Sequence, residues 1–124
     1  MGDDTAGQRD ELRERAILEM ERLLAAAEVL REDLDGHVAV CRAIIDGIRR
    51  EDDLAAVMDR ADSRTWRPRL TDALTNYERL RHKARLRLIA LGAAEGMTVA
   101  DVQERWSITK QLANRSIREA GQLD

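Results

Sequence analysis

The chain has 124 residues, 44 % apolar and 36 % charged, with a formal net charge of −3, enough for one domain or for two small units sharing a core. Trp66, Trp106 and Tyr77 are its only aromatics, Pro68 its only proline and Cys41 its only cysteine, which excludes an aromatic core and an intrachain disulfide and fits a reducing compartment. The opening "MGDDTAGQRDELRER" lacks a basic start leading into an apolar run, and no apolar stretch reaches spanning length, so a cytoplasmic protein with no secretory signal and no membrane contact is expected.

The core must be built from Leu, Ile, Val, Ala and Met, and β-branched runs are absent, so the fold class is all-α, a helical bundle. Residues 1–8 read as a polar tail. From Arg9 to Asp35 the apolar residues Leu12, Ala16, Met20, Leu23, Leu24, Ala27, Leu30 and Leu34 recur at three- and four-residue steps, one stripe of a long amphipathic helix. A stripe of that length needs a partner helix, and a homodimer through the N-terminal half is expected. Gly36 is a candidate break. Val38, Cys41, Ile44, Ile45 and Ile48 continue as a second stripe, and Asp52 or Asp53 is placed to cap a short helix over "LAAVMDRA". Pro68 suits the first turn of the next helix, where its missing N–H costs nothing. That helix sets Leu70, Leu74, Tyr77, Leu80, Ala84, Leu88 and Leu91 on one face and Arg79, Arg81, His82, Lys83, Arg85 and Arg87 on the other, and Gly92 and Gly96 bracket its end.

Charge divides the chain: residues 1–64 hold 17 Asp/Glu against 10 Arg, residues 65–124 hold 7 against 11 Arg/Lys. Two regions with different partners are expected, an acidic helical one over 9–64 for dimerisation and a basic one over 66–121 that a polyanion would prefer. Arg makes up 19 of the 21 basic residues, and its planar fork suits phosphate.

The segment "MTVADVQERWSITKQLANRSIREAG" opens with Thr98 and Asp101 spaced as an N-cap pair. Val99, Val102 and Trp106 form a buried face, the pattern breaks at Ser107, and Thr109 caps a last helix that buries Leu112 or Ala113, Ser116 and Ile117. Two short helices joined by so short a turn resemble the helix-turn-helix of bacterial transcriptional regulators; "SITKQLANR" is similar to the "GVSRQTVSR" pattern common in them. The likeness covers about 23 residues, with the preceding basic helix as the first of three. It implies that Thr98–Trp106 is the supporting helix and Thr109–Glu119 the recognition helix. Gln103 stands where the supporting helix has a small residue, and Ser107 where the turn has glycine.

The resemblance implies a small DNA-binding regulator. Lys110, Gln111, Asn114, Arg115 and Arg118 point away from the apolar face of the last helix, and amide and guanidinium groups there match adenine and guanine edges in the major groove. Thr109 and the helix-start N–H groups fit a phosphate, and Arg85 and Arg87 are candidates for further backbone contacts. The rival reading is a protein–protein adaptor or anti-regulator on the same scaffold, favoured by the negative net charge.

Other chemistry has little footing. His37 and Cys41 share a helix face at i, i+4 with Asp33 a turn earlier, yet no second ligand pair exists, and Cys41 is expected as a small buried hydrophobe. No nucleophile elbow, phosphate loop or Ser/His/Asp order is present. Neither enzyme activity, cofactor, metal nor small-molecule ligand is expected.

Overall fold

The computed structural model describes residues 2–123, with side chains from Thr5 onward; Met1 and Asp124 lie outside them. Among the described residues every regular element is a helix: α1 (Gly2–Arg49), α2 (Leu54–Arg60), α3 (Ser63–Ala94), α4 (Val99–Trp106) and α5 (Lys110–Gly121). Among the described residues, no helix is long and apolar enough to cross a membrane. Two compact units divide the chain, one from Met1–Leu23 with Leu80–Asp124 and one from Leu24–Arg79. Each draws on both α1 and α3.

Three sequence expectations change. Residues 2–8, expected as a polar tail, are already helical in α1, and Gly36 does not break that helix. Pro68 lies sixth in α3, beyond the first turn, because the helix starts earlier than the proline suggests. The Asp62 carbonyl accepts the Thr65 and Trp66 N–H groups at 3.2 Å, and its carboxylate accepts the Thr65 hydroxyl at 2.8 Å, which satisfies first-turn donors three and two residues ahead of the proline. Pro68 removes one interior donor, a cost the helix carries.

In the unit Leu24–Arg79, α1 and α3 run antiparallel: Asp33 Oδ1 accepts from Arg69 Nε at 2.7 Å, while Gly36 lies under the indole of Trp66. The Arg69 guanidinium also stands 5.0 Å over that ring, a cation–π contact. Asp33 is buried to 3 % exposure, so the arginine supplies the charge partner such a carboxylate requires. Farther along, a Cβ on Gly47 would meet Val57 Cγ2 at 2.5 Å, so glycine permits α2 to close on α1. α1 ends beside this contact. Glu51 takes a φ of 61°, its N–H bonds to Ile48 O at 3.0 Å, and the Asp52 N–H bonds to Gly47 O at 3.1 Å, which is a Schellman closure. Asp53 is the N-cap of α2, without a side-chain cap bond.

In the other unit, Leu86 and Ile89 of α3 pack with Val102 of α4 and with Ala113 and Ala120 of α5. Ala90, Met97, Val99, Trp106, Ile108, Ile117 and Leu123 close round this aliphatic centre. Gly96, at φ 96°, ends α3 in a second Schellman closure: Met97 N–H to Gly92 O at 2.8 Å and Gly96 N–H to Ala93 O at 3.1 Å. The Met97 side chain folds onto Gly92, the apolar contact that accompanies this cap. Arg13 of α1 pairs with Glu95.

The long stripe read from α1 separates into two faces. Ala16 is buried and Leu12, Leu23 and Leu30 are half-buried, whereas Met20, Leu24 and Leu34 are exposed. Apolar residues thus lie on more than one side of α1.

Candidate functional site

α4 and α5 are joined by three residues, Ser107, Ile108 and Thr109. Local chemistry fixes the first turn of each helix. Thr98 and Asp101 form a reciprocal capping box, with the Asp101 N–H on Thr98 Oγ1 at 3.2 Å and the Thr98 N–H on Asp101 Oδ2 at 2.9 Å. These bonds from Thr98, its backbone first and its hydroxyl next, hold the Asp101 carboxyl below its ordinary value, with Arg105 adding to the effect. Thr109 caps α5 by accepting the Leu112 N–H at 3.1 Å.

Between the caps the chain turns through Ser107, at φ 53° and ψ 47°. The Ser107 and Ile108 N–H groups both close on the Gln103 carbonyl, and Ile108 packs on the aliphatic centre. A left-handed residue disfavours a Cβ, so serine is strained where glycine would be relaxed. Ser107→Gly is therefore expected to stabilise the chain by about 0.5–1 kcal/mol, the relief of strain exceeding the extra entropy glycine loses on folding. Urea denaturation measures it; a loss of stability would show that the serine hydroxyl matters more than the backbone.

α5 shows two chemistries on two faces. Ala113 (0 % exposed), Ser116 and Ala120 are buried, and side chains this small let its backbone lie close to the core. The opposite face exposes Lys110, Gln111, Asn114, Arg115 and Arg118. At steps of three and four these groups share one side of a helix, and among the described residues none of the three cations is in an ion pair. Thr109 is exposed at the start of that face. Gln103, in the place of a small residue, is half-buried.

Arg85 and Arg87 stand apart from this group. Both are half-buried on α3. Arg85 Nη2 bonds to His82 Nδ1 at 3.1 Å, and His82 Nε2 lies 3.4 Å from Glu119 Oε2 on α5. Arg85 Nε is buried without a partner, and Arg87 has a partner within the chain. Both arginines are thus engaged on α3, where the sequence suggests a free basic face. The run of basic residues in the sequence conceals His82–Glu119, whose partners lie 37 positions apart.

Cys41 is exposed, not the buried hydrophobe expected, because the buried line of α1 runs through Asp33, Val40 and Gly47, about a quarter turn away from it. His37 Nε2 lies 3.6 Å from its Sγ, and Asp33 is engaged by Arg69. Among the described residues no group of three or more His, Cys, Asp and Glu side chains is placed to hold a metal ion.

No family model, curated protein or solved structure matches the chain.

Proposed function

We propose that this chain is a small DNA-binding regulator that sets α5 in the major groove of duplex DNA, with α4 as the supporting helix of a helix-turn-helix. The observation that carries the reading is the exposed, unpaired face of Lys110, Gln111, Asn114, Arg115 and Arg118 on a helix whose other face is buried. Such a face offers three cations to phosphates and two amides to base edges, on an element of the width the groove admits. The left-handed Ser107 and the half-buried Ile108 give the short rigid turn the motif requires. The N–H groups at the start of α5 add donors for a phosphate. A protein adaptor using the same scaffold needs a partner that neutralises these cations, and among the described residues no acidic side chain of α1 does so. No part of this reading calls for an enzyme, a cofactor or a small-molecule ligand.

Titration of labelled duplex at several salt concentrations tests it. With about 4–6 phosphates neutralised per protomer, log affinity should fall against log salt with a slope of about −4 to −5. A flat response, or no binding at low salt, overturns the proposal and leaves the adaptor.

A further inference from the structure

In the unit Leu24–Arg79, α1 buries Ala26, Asp33, Val40 and Gly47, at seven-residue intervals, toward its own chain. Its other side is uncovered. Leu34, Val38, Ile45 and Ile48 are 42–55 % exposed, and Cys41 lies among them. Toward the N-terminus the same alternation of three and four residues takes in Arg31, Ala27 and Leu24, the last 60 % exposed. Alternation of three and four is the seven-residue period of a coiled-coil seam, not the 3.6-residue period of a helix on a globular core.

We propose that residues 28–49 of α1 pair with the same segment of a second copy of this chain as an antiparallel two-stranded coiled coil. The flanking charges choose both the partner and the direction. The position following each second seam residue holds, in order, Glu28, Asp35, Arg42 and Arg49, acidic in the first half and basic in the second. All four are exposed, and among the described residues none makes an ion pair within the chain. An antiparallel two-fold pairing that layers Val38 on the partner's Cys41, and Leu34 on the partner's Ile45, sets Glu28 beside the partner's Arg49 and Asp35 beside the partner's Arg42. Both pairs recur through the two-fold axis, as a self-complementary interface requires. Arg31 falls in an outer layer against the partner's Ile48, where its long stem allows the guanidinium to reach water. A parallel in-register pair would instead stack Arg31 on the partner's Arg31 and place no acid beside a base along the flank. The pairing does not depend on what α5 binds.

Sedimentation equilibrium of the full chain and of charge-exchanged variants tests the proposal. The native chain should sediment at twice its 14.1 kDa. Glu28→Arg with Asp35→Arg, or Arg42→Glu with Arg49→Glu, turns four attractions into four repulsions and should weaken dimerisation about a hundredfold. Combining all four substitutions should restore the native affinity to within about threefold, a rescue that a merely unfolded variant cannot show. A short bis-maleimide should also join two native chains through Cys41, which lies near the two-fold axis. Leu24→Cys in a Cys41→Ser chain should not cross-link, since the two cysteines would lie on the order of 45 Å apart at 1.5 Å per residue. A monomeric native chain, a four-residue variant that stays dissociated, or a cross-link through position 24 overturns the proposal.

Discussion

Gly36→Ala should destabilise the chain by about 2 kcal/mol, although the same change in an open helix would stabilise it. Alanine exceeds glycine in helix propensity by about 1 kcal/mol, so propensity alone gives the opposite sign. The new Cβ, however, would overlap three carbons of the Trp66 six-membered ring, Cζ3, Cη2 and Cε3. An indole cannot give way by rotating one terminal bond, as a methionine tip can. It must tilt as a whole, and Trp66 also lies under the Arg69 guanidinium that pairs with the buried Asp33. Overpacking of this kind costs about 1–3 kcal/mol and sometimes more, enough to outweigh the propensity gain with the ion pair disturbed in addition. Urea denaturation followed by far-ultraviolet circular dichroism measures the loss. The cause is isolated by repeating the change in a Trp66→Leu chain, where Gly36→Ala should become neutral or mildly stabilising. Equal losses in both backgrounds would place the strain elsewhere.

The same glycine shows what a linear reading reaches. Helical class follows from composition and period, because those are properties of short windows. The starts of α4 and α5 are legible for the same reason: Thr98 with Asp101, and Thr109 alone, act on N–H groups within three residues. Gly36 and Pro68 are local signals too, but distant partners decide their outcome. Gly36 is a seat for an indole 30 positions away, and Pro68 is preceded by a helix start that Asp62 satisfies. On α1 the apolar positions follow two superposed periods, one for its own chain and one left open. Reading them as a single stripe joins Leu23 and Leu30, half-buried, to Leu24 and Leu34, exposed. Arg85 escapes a linear reading because a charged side chain in a basic run looks solvated, and only the fold reveals His82 and Glu119 beside it. The strain at Ser107 is within reach: a break in the apolar pattern with glycine's place taken by serine is where a left-handed residue belongs.

On the proposed reading of α5, Arg115→Ala should lower affinity for a preferred duplex by about 1–3 kcal/mol while changing affinity for unrelated duplex far less. Arg115 lies one step from Asn114 and one turn from Gln111 on the exposed face, the central place from which a guanidinium reaches the N7 and O6 atoms of guanine. Lys110 and Arg118 sit at the two ends of that face, where a helix in the groove meets the flanking phosphates, so Arg118→Ala should weaken all duplexes about equally and make the salt slope shallower by about one. Among the described residues neither arginine is in an ion pair, so both changes should leave the fold intact, which circular dichroism checks. Arg85→Ala is the contrasting control. It removes a half-buried group bonded to His82, so it should lower stability first and alter affinity only through that loss. The preferred duplex comes from selection out of a random-sequence pool with the native chain. Affinities of the three variants for it, and for a scrambled duplex of equal length, then separate reading from holding. If Arg115→Ala and Arg118→Ala lose the same factor on both duplexes, α5 holds the backbone without reading sequence. If Arg85→Ala weakens binding at full stability, the basic face of α3 belongs to the interface after all.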